Sequence, residues 1–139
     1  MTNPRPHHLN LAGTKVAETA AFYRDVLGLA PAEVPRIYGA YDDPLAREQV
    51  FLQDERGYQY HIIKDDPDFA ARNKLAVNPM GGGHLAFRVD DIAAVRAKLD
   101  AHGVPYSDLG VWAVKGWHQL FCTDPEGRVI EFHQVVDAE

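Results

Sequence analysis

From His8 to Gly13 apolar and polar positions alternate, with Leu9 and Leu11 on one side and His8, Asn10 and Ala12 on the other. That is the period of a half-buried strand, and it puts His8 on the face away from the core. Thr14 is placed to cap a helix whose apolar stripe, Val16, Ala20, Tyr23 and Leu27, recurs at helical spacing and closes at Gly28. Residues 31–47, rich in Pro, Asp and Gly, read as a short strand plus a loop. Period two returns from Gln49 to Gln53, where Val50 and Leu52 alternate with Gln49, Phe51 and Gln53. The turn Asp54-Glu55-Arg56-Gly57 then leads into a strand from Tyr58 to Lys64, with Tyr58, Tyr60 and Ile62 on one face and Gln59, His61 and Ile63 on the other.

The same order recurs in the second half. His84 to Val89 alternates with Leu85, Phe87 and Val89 expected in the core and His84, Ala86 and Arg88 opposite. Asp90 or Asp91 caps a helix with the stripe Ile92, Val95 and Leu99, and His102-Gly103 ends it. Strands follow near Val104 to Leu109, over Trp117 to Thr123 and, after the turn Asp124-Pro125-Glu126-Gly127, over Arg128 to Gln134, where Glu131 and His133 lie opposite Ile130 and Phe132.

The halves also echo in residue type. His8-Leu9-Asn10-Leu11 matches His84-Leu85-Ala86-Phe87, and Phe51-Leu52-Gln53-Asp54 with Gly57 and His61 matches Phe121-Cys122-Thr123-Asp124 with Gly127 and Glu131. The expected fold is one α+β domain over 1–139: two paired βαβββ modules forming a curved, cleft-enclosing mixed sheet with outer helices. Module one covers about 7–64 and module two about 84–135. The linker, about 65–83, holds Gly81-Gly82-Gly83 and a helical turn near Phe69 to Leu75.

Composition narrows the function. The 139 residues suffice for one ordinary domain. With 46% hydrophobic and 24% charged residues the chain reads as soluble and globular, and a net charge of -6 argues against a nucleic-acid partner. Cys122 is the single cysteine, so no internal disulfide forms. No stretch has the length of a signal peptide's apolar region or of a membrane span, which makes the cytoplasm the expected compartment and membrane attachment unexpected.

The alternation places His8, His84, Glu131 and His61 together on the concave face. Imidazole nitrogen with carboxylate oxygen and no thiolate suits one divalent ion such as Fe, Mn, Ni, Co or Zn. Two histidines and a carboxylate leave positions open for substrate, and such an ion polarises a carbonyl or enediolate oxygen so that a neighbouring C–H proton can move. Glu131 amid Val129, Ile130 and Phe132 points the same way, because an unpaired buried carboxylate is costly. His61 is a fourth ligand or an acid/base group. Asn10, Gln59, Arg88 and His133 share the inner parity and are expected to line the substrate site. His7, His102 and His118 are read as ordinary solvated or hydrogen-bonded histidines, His102 at a helix C-terminus.

Four stretches together resemble the vicinal oxygen chelate superfamily: His8-Leu-Asn-Leu, Ala21-Phe22-Tyr23-Arg24-Asp25-Val26-Leu27-Gly28-Leu29, His84-Leu-Ala-Phe-Arg-Val-Asp-Asp and Asp124-Pro125-Glu126-Gly127-Arg128-Val129-Ile130-Glu131. The resemblance implies a divalent metal in the cleft, a small-molecule substrate and a homodimer. Among its members, glyoxalase I and methylmalonyl-CoA epimerase imply a metal-dependent lyase or isomerase acting beside a carbonyl. They carry an acid or amide where this chain has His61, so Glu131 is the remaining catalytic base unless His61 takes that role. Extradiol dioxygenases share the His8, His84, Glu131 triad and imply an Fe(II) ring-cleaving alternative, although the Tyr they keep beside their ligands falls at Phe121. Bleomycin-resistance proteins imply a non-catalytic binding module. Fosfomycin-modifying enzymes fit less well, since Val111 to Gly116 offers only Lys115 as a basic residue.

Overall fold

The computed structural model describes residues 2–35, 48–123, 125 and 127–136. Its elements are β1 (Arg5–Gly13), α1 (Val16–Ala21), which continues into a π-helical turn (Phe22–Val26), β2 (Ala30–Pro31), β3 (Gln49–Gln53), β4 (Gln59–Lys64), α2 (Phe69–Asn73), β5 (His84–Arg88), α3 (Ile92–Ala101), β6 (Tyr106–Val111), β7 (Trp117–Thr123) and β8 (Val129–Val135). One curved mixed sheet runs β2-β3-β4-β1-β5-β8-β7-β6 among the described residues. β1 pairs parallel with β4 and β5 parallel with β8, while β1 and β5 meet antiparallel at the centre. The two half-sheets therefore mirror each other across the β1–β5 seam. Residues 36–47, most of the expected loop, lie outside the described residues, as do Asp124 and Glu126 of the second turn.

Local chemistry accounts for most boundaries. Asp91 caps α3 by accepting the Ala94 N–H at 3.1 Å, and Gly103, at φ +67°, ends the helix as expected. In the β3–β4 turn the Asp54 carboxylate accepts the N–H groups of Arg56 and Tyr58. Two helical expectations are corrected. The N-cap of α1 is Lys15 rather than Thr14, and no side chain caps it. Leu27 leaves the apolar stripe because the π turn closes with the i→i−5 bond from Leu27 N–H to the Phe22 carbonyl, which widens the turn and carries Phe22, Val26 and Leu27 to the surface.

The concave face proves the drier one at the seam, contrary to the expectation that Leu9, Leu11, Leu85 and Phe87 sit in the core. His8 is 1% exposed and Ala86 fully buried, whereas Leu85 is 38% exposed and Leu9 and Phe87 are half-buried. The helices explain the inversion. α1 packs Val16 and Ala20 against Leu52 and Ile62 on β3 and β4, and α3 packs Ile92 and Val95 against Leu120, so each covers a half-sheet and neither covers the seam. The stretch from 65 to 83, expected as a mere linker, folds onto the concave side. Its Phe69, Val77 and Met80 join Ile63, Leu109, Trp112 and Phe121 in a core that both halves share.

Candidate metal centre

Strand register assembles the site. In the parallel ladder β1–β4 Asn10 pairs with His61, and in β5–β8 Ala86 pairs with Glu131. His8 and His84 each stand two residues before those partners, so His8 with His61 and His84 with Glu131 occupy corresponding places on either side of the seam. The side chains depart from that symmetry. Nε2 of His8 and Nε2 of His84 lie 3.3 and 3.0 Å from the same oxygen, Oε1 of Glu131. The three donor atoms fall within 4.8 Å of one another, and all three residues are 9% exposed or less.

Neither Nε2 has a hydrogen-bond partner, nor does Nδ1 of His84. Two imidazole nitrogens and a carboxylate oxygen brought this close in a buried site form a donor set that a divalent cation satisfies. Ligands about 2.1 Å from a common ion stand roughly 3–3.4 Å apart at ordinary coordination angles, close to the spacings observed. The residues therefore fit a divalent ion. Burial alone would raise the Glu131 carboxyl, but the facing imidazoles of His8, His133 and His84 outweigh it and hold the group well below the usual carboxylate range, so it is an anion. Burial lowers the His8 imidazole against the pull of Glu131, which keeps the ring neutral.

His61 does not converge on that point. Its ring lies flat on His8, centroids 3.8 Å apart and planes 16° apart, and its Nε2 is 2.7 Å from Oε1 of Gln59. Burial, and then the neighbouring His8, lower its pKa well below 6.5. His61, His84 and Glu131 face a small pocket, open at its mouth and walled by Phe51, Met80, Trp112 and Phe121 with the amides of Asn10, Gln49 and Gln119. Oδ1 of Asn10 and Oε1 of Gln119 are buried without partners.

Of the expected substrate-lining residues, Asn10 is on the cavity wall; Gln59, Arg88 and His133 are not among its described lining residues. Gln59 holds His61. His133 is fully buried, stacks on Trp117 at 3.9 Å with parallel planes, and presents Nδ1 to Oε2 of Glu131 at 2.8 Å. Arg88 donates from Nε to Nε2 of His133 and places Nη2 on Nε2 of His7, each at 3.0 Å.

His7 belongs to the site despite its parity. A bulge between Pro6 and His8 in the β1–β5 ladder turns consecutive side chains the same way, so that Nδ1 of His7 lies 2.9 Å from Nδ1 of His8. Burial, then His133 and His8, push its pKa down to about 3. Trp117 and Gln119 are further site residues that alternation alone does not single out. Counting outward along β7 from its turn with β8 reveals them, since the ladder pairs Phe121 with Glu131 and Gln119 with His133. His118 and His102 do have ordinary roles: His118 bonds Asp108 at 2.7 Å and His102 bonds the Lys98 carbonyl.

The sheet of paired modules thus brings His8, His84 and Glu131 together as a group able to hold a metal ion. The chain belongs to the Glyoxalase/Bleomycin resistance protein/Dioxygenase superfamily, which it matches over residues 5–132. It is 30% identical over 129 residues to the uncharacterized protein YaeR of Escherichia coli (strain K12), covering 92% of this chain and 94% of that protein. It is 27% identical over 130 residues to Glyoxylase I 4 of Arabidopsis thaliana, covering 90% and 67%. A variant of homoprotocatechuate 2,3-dioxygenase from B. fuscum superposes with a TM-score of 0.64 at 22% identity, over 99% of this chain and 34% of that one. Members of this family are largely metal-dependent enzymes acting on small molecules. Among the described residues no helix is long and apolar enough to cross a membrane.

Proposed function

We propose that the protein is a divalent-metal-dependent, glyoxalase-like lyase or isomerase that moves a proton on the carbon beside a substrate carbonyl. The convergence of Nε2 of His8 and Nε2 of His84 on Oε1 of Glu131 carries this reading. A divalent ion bound there supplies Lewis-acid polarisation of the substrate oxygen. The proton falls to His61 and not Glu131, because one Glu131 oxygen belongs to the ligand set and the other is taken by His133.

His61 suits the task. Burial keeps its imidazole neutral at physiological pH, and it lines the cavity. Gln59 accepts its Nε2–H, which leaves the lone pair on Nδ1 as the base. The buried carbonyls of Asn10 and Gln119 accept hydroxyl or amide protons and so orient the substrate, while Phe51, Trp112 and Phe121 exclude water. The likeness to Glyoxylase I 4 supports the reaction class. Homodimerisation is part of this reading, and the exposed apolar group Phe22, Val26 and Leu27 offers a surface for it.

Elemental analysis of protein purified without added metal, paired with His61→Ala, tests the reading. About one divalent ion per chain is expected, retained in His61→Ala while turnover in a glyoxalase I assay falls by about 10²–10⁴-fold. Absence of metal with weak rebinding would sink the enzyme and favour a drug-binding module; loss of metal from His61→Ala would make His61 a fourth ligand. The open His, His, Glu triad also favours a second reading, an Fe(II) ring-cleaving dioxygenase, for which oxygen uptake on catechols by the iron-loaded protein is the test.

A further inference from the structure

The site contains a cation of its own that faces away from the cavity. Arg88 is half-buried over the Trp117 ring, its guanidinium carbon 5.3 Å from the centroid, and it contacts two imidazoles at once. A guanidinium can only donate. Nε2 of His133 therefore accepts, and its one remaining proton in the neutral ring sits on Nδ1, directed at Oε2 of Glu131 2.8 Å away. His133 has no freedom to present the other nitrogen, since it is fully buried and clamped in parallel on Trp117.

Resting on the reading of His8, His84 and Glu131 as metal ligands, we infer that Arg88 is a positioning residue for the metal: by fixing the tautomer of His133 it ties up Oε2 of Glu131 and leaves Oε1 alone to ligate. The two carboxylate oxygens are thereby sorted into different roles. Oε1 faces Nε2 of both His8 and His84, and Oε2 faces only the donor on His133. A carboxylate so held would offer an ion one oxygen while the other stays on His133. If His133 carried its proton on Nε2, two donors would oppose each other at Arg88 and two lone pairs at Glu131. The second prong of Arg88 donates to Nε2 of His7, whose Nδ1–H then faces Nδ1 of His8, so ligation through Nε2 of His8 requires this prong to release His7 while the prong on His133 is kept. Outer groups that orient a ligand in this way are worth about 10- to 100-fold in metal affinity.

The test is titration of the metal-free full chain with Co(II), read by visible absorption and chelator competition, in wild type, Arg88→Met, His133→Phe and the double variant. The phenyl ring preserves the stack on Trp117 while removing both nitrogens. Each single variant is expected to bind Co(II) about 10- to 100-fold more weakly, and the double variant no more weakly than His133→Phe, because Arg88 acts through His133. Nitrogen-15 NMR of the metal-free protein supplies a reading independent of metal: the Nδ1–H tautomer of His133 alone in wild type, and a measurable Nε2–H fraction beside it in Arg88→Met, where Glu131 is the one remaining group that selects the tautomer. Should that variant fail to fold, Arg88→Lys is read in the same way, because an ammonium cannot bridge both rings as the planar fork does. Unchanged Co(II) affinity in Arg88→Met, fully additive losses in the double variant, or an unchanged tautomer would overturn the inference. A wild-type protein that shows the Nδ1–H tautomer but binds no Co(II) would instead overturn the ligand reading and, with it, the role of Arg88 toward a metal.

Discussion

Seven histidines serve very different ends in this chain, and their surroundings decide which. His118, part-buried, rests on a carboxylate and exposed His102 on a helix end, whereas His7, His8 and His61 are held neutral by burial. Neutrality has a thermodynamic cost under acid. Unfolded imidazoles protonate near pH 6.5, while folded His7 resists to about 3 and His8 and His61 are also lowered. Between those limits the unfolded state binds more protons, so stability is retained above pH 6.5 and lost as pH falls from there toward 3. Glu131, depressed below its ordinary value, adds loss in the same direction at still lower pH. Urea midpoints of the metal-free protein should therefore fall steadily between about pH 7.5 and 5, and His7→Gln should flatten that dependence; a midpoint constant over this range would contradict the burial of the imidazoles. The ligand residues are legible from alternation and repetition: period two puts His8, His84 and Glu131 on one face, and the echo between halves brings them together. His7 is not, because a bulge reverses parity within the strand and no sequence period marks it. Arg88 and His133 are legible as inward-facing residues, but which neighbour an inward side chain meets depends on contacts across the seam that periodicity does not encode.

At the level of elements the site depends on how closely β1 and the chain entering β5 approach. Gly83, immediately before His84, has φ +80°, and a Cβ there would lie 2.5 Å from the Asn10 carbonyl oxygen. Gly83→Ala incurs both left-handed strain and a backbone clash, so a loss of at least about 1–2 kcal/mol in urea denaturation is expected, with weaker Co(II) binding as Asn10 and His84 are pushed apart. Gly13→Ala, at the end of β1, is the control. A Cβ at Gly13 would meet nothing within 4 Å and its φ is not positive, so the change in stability should stay below about 0.5 kcal/mol. Equal losses at the two glycines would refute the close-approach argument. Strand positions and the α3 cap are readable from alternation and from Asp91, because both are local signals. The π turn after α1 is not: the run Val16, Ala20, Tyr23, Leu27 fits a regular helix as well as any, and the extra residue per turn shows only in the hydrogen bond that Leu27 makes. Nor do residues 65–83 announce themselves as core, since their apolar side chains follow no period and gain burial only from Leu109, Trp112 and Phe121 far along the chain.

For the whole molecule, the decisive feature is that the proposed ligands straddle the seam. His8 comes from β1, His84 and Glu131 from β5 and β8, and β1 meets β5 through a single antiparallel ladder. An ion that binds only the folded chain stabilises it by about 2.7 kcal/mol at a hundred times its dissociation constant, and here that energy acts between halves. Lys74 is exposed at φ +57°, between the two halves in sequence. Protein nicked there by trypsin should stay associated in size-exclusion chromatography when metal-loaded and separate more readily under chelator and mild urea; indifference to chelator would show that the ladder and shared core suffice alone. Coordination across the seam would thus work as a clasp, giving each half a reason to remain beside the other that is independent of the peptide joining them.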